Sequence, residues 1–154
     1  MTAGFQIGQC RIYVDTDRTK EFYETLPGIS ENCNCGNCVY FENEVIKKDI
    51  PLFRILKKMC VDLTRQPNIN PDGVCSVGPT TKYNRAYIGY YQVFGKFGKT
   101  QKKTQTKNAD GKMESVEIFE LWNDAYIQYK IIQDKDDQLI VDFYIECEKI
   151  YTDN

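Results

Sequence analysis

Gln138-Leu-Ile-Val-Asp-Phe-Tyr-Ile-Glu-Cys147 decides how the chain folds. Leu139, Val141, Phe143, Ile145 and Cys147 fall on one side of an extended chain, and Asp142, Glu146 and Glu148 on the other. A period of two is the mark of a strand with one buried face. Working backward, 125–133 sets Ile127, Tyr129 and Ile131 on one side, and 134–137 supplies the turn between the two strands. Asn123-Asp124 is a second tight turn. Before it, 114–122 places Val116 and Ile118 on one face and Phe119 and Leu121 on the other. The segment 86–97 is dense in aromatics, which favour strands. Short turns between the last three strands predict an antiparallel meander.

The first half reads differently. Cys10-Arg-Ile-Tyr-Val14 alternates as a strand within 5–14. Asp15-Thr-Asp17 offers caps for a short helix through Phe22 and Leu26, stopped by Pro27-Gly28. Asn37 is placed to cap a helix over 38–48, with Phe41 and Val45 on one face. Pro51 suits the first turn of the next helix, where Leu52, Ile55, Leu56 and Met59 form an apolar stripe and Lys57 and Lys58 sit at the C-terminal end. The two helices predict a short antiparallel hairpin. Prolines, glycines and asparagines across 64–82 break any regular pattern. The segment 98–113, with Lys99, Lys102, Lys103, Lys107 and Lys112 and the turn Asn108-Ala-Asp-Gly111, reads as a long polar hairpin loop. Together these predict a single α+β domain over 1–154: an N-terminal strand, a short helix and a helical hairpin within 15–63, packed on an antiparallel four-stranded meander over 83–150.

Composition narrows the chemistry. A chain of 154 residues is long enough for one core without staples. A formal charge of -2 supplies no global field for nucleic acid or anionic lipid. No stretch approaches the ~20 apolar residues of a membrane helix, and the first residues have neither the basic nor the apolar region of a secretory signal. A cytoplasmic protein without a membrane partner is expected, its 7 cysteines mostly reduced. The absence of histidine rules out Ser-His and Cys-His machinery and imidazole ligands. Asp142, Glu146, Glu148 and Glu117 read as a solvated sheet face, and no glycine loop of phosphate-binding type is present.

The one chemically pointed motif is Cys33-Asn-Cys-Gly-Asn-Cys38. Thiolates at C-x-C-x-x-C spacing converge on a soft cation when a turn faces them inward. Structural zinc wants four ligands. Without histidine the fourth must be a cysteine, a carboxylate or water, and the predicted hairpin nominates Cys60, at the end of the second helix, as the first candidate to join Cys33, Cys35 and Cys38. Cys75, Cys10 and Cys147 are weaker options. The same cysteines also read as free thiols at a turn, as a redox-sensitive trio, or as a catalytic or redox box with Cys38 activated by a helix N-terminus.

Phe22-Tyr-Glu-Thr-Leu-Pro27, the cysteine box with Phe41 three residues beyond it, and Val61-Asp-Leu-Thr-Arg-Gln-Pro67 together resemble a group of small uncharacterised bacterial proteins. Those carry Leu-Pro, then Cys-x-Cys-x-x-Cys, then a Val-Asp-x-x-x-Pro box, here one residue longer. Tyr91-Gln-Val-Phe-Gly95 is similar to a later Tyr-x-Val-x-Gly pattern of that group. The resemblance covers about a third of the chain and implies a recurring cysteine unit, with no activity attached.

The functional expectation is a non-enzymatic binding protein with a structural zinc and a protein partner. Two alternatives stand beside it. One is a ligand-binding domain or small enzyme with its pocket between the helices and the tyrosine-rich sheet. The other is nucleic-acid contact through 98–113, aided by Tyr83, Tyr87, Tyr90 and Tyr91 interleaved with Lys82, Arg85, Lys96 and Lys99.

Overall fold

A computed structural model describes residues 1–65, 74–98 and 105–150. Its strands are β1 (Thr2–Ile7), β2 (Cys10–Asp15), β3 (Cys75–Ser76), β4 (Tyr83–Phe97), β5 (Gln105–Lys107), β6 (Met113–Ser115), β7 (Ile118–Trp122), β8 (Ala125–Lys135) and β9 (Gln138–Lys149). The helices are α1 (Thr16–Glu24), α2 (Ile29–Asn32), α3 (Gly36–Asn43) and α4 (Pro51–Lys58), with a 3-10 turn at Val45–Lys47.

The four-stranded meander is not what forms. One nine-stranded sheet runs β1-β2-β4-β9-β8-β6-β5, with β3 also on β4 and β7 also on β8. All its pairings are antiparallel. β7, β8 and β9 do follow one another as hairpin neighbours. β4 then closes on β9, not on the strand that follows it in the chain, from Tyr83↔Lys149 to Phe94↔Gln138. The physical reason is matched length and period: Tyr87, Tyr91 and Val93 face the core opposite Ile145, Val141 and Leu139, and all six are buried.

Two other expectations are corrected by backbone detail. The single N-terminal strand is a hairpin, because Gly8 takes φ +58 and turns Ile7 back onto Cys10. The predicted strand over 114–122 splits into β6 and β7. Val116 is exposed, and buried Ser115 accepts the Ile131 N–H at 2.9 Å instead. The turns at Asn123-Asp124 and Asn108–Gly111 form as read, with Asn123 at φ 47 and Gly111 at φ 78.

The helices pack as small pieces over the inner face, not as a long hairpin. α3 stops at Asn43, and Pro51 restarts the chain as α4. They meet where Phe41 sets its ring edge-on to Phe53 at 6.3 Å. Phe41 also stacks parallel to Phe143 at 6.3 Å, and Phe143 on Tyr91 at 5.5 Å, so one aromatic column joins helix to sheet. The space between the helices and the tyrosine-rich strand is therefore filled by side chains.

α1 does a second job. β2 reaches β4 only at 95–97, and β3 only at 87–88. Between them, among the described residues, the edge of β4 has no strand beside it. There the Gln92 backbone groups and the Phe94 N–H are satisfied by α1 side chains. The Tyr23 hydroxyl donates to the Gln92 carbonyl at 2.8 Å and accepts the Gln92 N–H at 2.9 Å; Thr19 accepts the Phe94 N–H at 3.1 Å. Buried backbone groups left unpaired are costly, so this contact fixes where α1 lies.

Tyr23→Phe keeps the ring and leaves both Gln92 groups unpartnered. A loss of about 1–3 kcal/mol in urea denaturation is expected; an unchanged midpoint would sink this account. Burial also raises the phenols of Tyr23, Tyr91 and Tyr129 above their ordinary 10.0. Below pH 10 both folded and unfolded chains hold these protons. Above it the unfolded chain ionises first, so stability falls as pH rises. Urea midpoints at about pH 8 and about pH 11 should differ accordingly, with the alkaline value lower.

Candidate metal centre

The cysteine box sits where α2 hands over to α3. Cys33 ends the single turn of α2, its N–H bonded to the Ile29 carbonyl at 3.1 Å. Cys35, not Asn37, is the N-cap of α3, and its sulfur accepts the Cys38 N–H at 3.4 Å. Cys38 lies three residues on, in the first turn, pointing back over the cap. C-x-C-x-x-C across a helix start thus brings all three sulfurs within 4.8 Å of one another. Two sulfurs bonded to one tetrahedral zinc at about 2.3 Å lie about 3.8 Å apart, a separation within the range that these sulfurs span.

The segment is held from three sides. Below it, the buried Cys38 and Phe41 root α3 in the core. At its front, Glu42 reaches back from α3 to the Ser30 hydroxyl at 2.6 Å, tying α2 to α3 across the box. On the sheet side, the Tyr87 hydroxyl donates to the Asn37 carbonyl at 2.7 Å, and the Arg85 guanidinium donates to the Asn37 side chain. Arg85 is itself fixed: it bonds Glu148 at 3.1 Å and lies over the Tyr40 ring at 3.7 Å, while the Tyr40 hydroxyl bonds the same carboxylate. Glu148 adopts φ 60, a left-handed backbone that re-aims its side chain at the end of β9. The apolar face of α3 at Phe41 follows from the sequence; the ties through Glu42, Arg85 and Glu148 do not. The sequence reads Asn37 as a cap and Arg85 as one cation in an aromatic strand.

The three thiols differ. Cys35 is exposed, and its pKa is lowered, first by the Cys38 backbone N–H and then by the Cys38 and Cys33 thiols. Cys38 is buried, and desolvation, followed by its neighbours' thiols, pushes it up to about 12. Cys60 stands apart from the group. It follows α4 with φ 70 and lines a groove beside Lys20, Tyr23, Glu24 and Arg65 of the α1 side. Cys10 and Cys147 are buried in β2 and β9, and Cys75 is exposed on β3. The sequence thus brings together three of the four nominated ligands. Among the described residues no other cysteine and no carboxylate joins them.

The other candidate groups are placed as follows. Tyr83, Tyr87 and Tyr91 are buried, so they offer no stacking surface. Lys99, Lys102 and Lys103 of the lysine-rich segment lie outside the described residues; Lys112 pairs with Asp134 at 2.6 Å. Glu117 and Asp142 share a shallow outer groove with Lys130. No helix among the described residues is long and apolar enough to cross a membrane. Compared with known proteins, the chain matches no family model, no curated sequence and no solved structure.

The ordering of the thiols is testable. In a time course with iodoacetamide near neutral pH, peptide mass analysis should show Cys35 alkylated well before Cys38. Equal rates would contradict this arrangement.

Proposed function

We propose that the chain is a non-enzymatic, cytoplasmic binding protein whose Cys33, Cys35 and Cys38 thiolates hold a zinc ion. The observation that supports this is the approach of three sulfurs to within 4.8 Å at a braced helix start. A set made only of sulfur suits a soft or borderline cation, and zinc accepts tetrahedral thiolate sites without redox chemistry. The role is architectural. The ion links the end of α2 to the start of α3, and so presents this corner of the molecule, beside Arg85 and Tyr40, as one rigid surface for a protein partner. The resemblance to small bacterial proteins with the same box fits a recurring unit of this kind. Three protein ligands leave the fourth position to water or to a group from the partner.

Mass-spectrometric metal analysis of protein purified without added metal should find about one zinc per chain. Cys35→Ser should lower that content severalfold, and a chelator should lower the thermal midpoint. Less than about 0.2 metal per chain, with every thiol freely titratable, would overturn the proposal. Cys60→Ser separates the ligand sets: unchanged zinc leaves three thiolates, and a fall restores Cys60 as the fourth.

A further inference from the structure

A cleft of about 680 Å³ opens over the seam between β2 and β4. Its size is that of a small-molecule site. Register explains its lining. Arg11, Tyr13 and Asp15 share the outward face of β2, because Ile12 and Val14 are buried inward. Tyr13 stands opposite Lys96 of β4, and the Gly98 N–H bonds the Arg11 carbonyl at 2.8 Å.

Two glycines clear space around the Tyr13 ring. A Cβ at Gly98 would come within 3.2 Å of one ring edge, and a Cβ at Gly4, the cross-strand neighbour of Tyr13 on β1, within 2.6 Å of the Arg11 guanidinium and 3.2 Å of the other ring edge. Tyr13 is 42% exposed, with the Arg11 guanidinium 5.7 Å from its ring centroid. Across the cleft, the Arg18 guanidinium of α1 sits over the Phe94 ring at 4.0 Å and is pinned by Asp137. Two planar surfaces, a phenol and an arginine–phenylalanine stack, therefore border one cavity.

The charges are complementary to an anion. Asp137 is committed to Arg18, and Asp15 caps α1 through the Arg18 N–H at 3.1 Å. Arg11 and Lys96 form no ion pair among the described residues. In a chain of net charge -2, two cations outside any of these ion pairs beside the exposed Tyr13 ring are a local exception.

We propose that this cleft binds a mononucleotide unit, its base laid against Tyr13 and the Arg18–Phe94 stack and its phosphate held by Arg11 and Lys96. Arginine and lysine bind phosphate, and base–aromatic stacking tolerates any base. The site uses no residue of the cysteine box, so it stands or falls separately from metal binding.

Isothermal titration calorimetry of the full chain with AMP, UMP, adenosine and inorganic phosphate tests it. AMP and UMP should bind with Kd below about 1 mM, and adenosine and phosphate each at least about tenfold more weakly. Arg11→Gln with Lys96→Gln should weaken AMP at least about tenfold without moving the thermal midpoint. Tyr13→Leu should weaken AMP and adenosine alike while leaving phosphate unchanged. A 5′-phosphorylated trinucleotide that displaces AMP and binds far tighter identifies a strand as the source of the nucleotide; equal binding identifies the free nucleotide. No heat with either nucleotide, phosphate binding as tightly as AMP, or indifference to the Arg11/Lys96 replacement would each overturn the proposal.

Discussion

β4 lies against β9 along nearly its whole length, and every other part of the molecule is positioned from that ladder. Its inner face supplies Tyr87 and Tyr91 to the aromatic column. Its open edge receives α1 through Thr19 and Tyr23. Its start carries Arg85 to the cysteine box, and its end crosses β2 at Gly95, where a Cβ would stand 2.2 Å from the Tyr13 carbonyl oxygen. Only glycine permits that approach, and the β2–β4 seam depends on it.

Tyrosine is the residue that makes these joints. Tyr23 bonds Gln92, Tyr87 bonds Asn37 and Tyr91 bonds the Leu63 carbonyl at 2.7 Å. Each ring contributes apolar burial, while its hydroxyl bonds a backbone group distant in the chain. Two ends of one strand thus serve two separate places. The cysteine box hangs from Arg85 and Tyr87, and the cationic cleft is built around Lys96 and Phe94.

Several elements were legible because their signals are local. The alternation of Leu139 to Cys147, the Asp15 cap, Pro51 at the start of α4 and the turns at 108–111 and 123–124 each rest on residues close in the chain, and each forms. The proximity of Cys33, Cys35 and Cys38 belongs here too, since a helix start alone brings them together. What failed was long-range. The helical hairpin that nominated Cys60 assumed two continuous helices folded back on each other; instead α3 ends at Asn43, and Cys60 turns toward α1.

The sequence by itself determined which residues face inward along the late strands, where helices begin, and that sulfur is the only soft ligand in a chain without histidine. Those properties follow from backbone period, capping and side-chain chemistry, which need no distant partner. Only the tertiary structure decided that β4 pairs with β9, that Arg85 and Glu148 brace the box, and that Arg11, Tyr13, Arg18 and Lys96 border one cleft. Strand partners are chosen by matched length and burial over the whole sheet, and that choice brings together side chains that no local pattern connects.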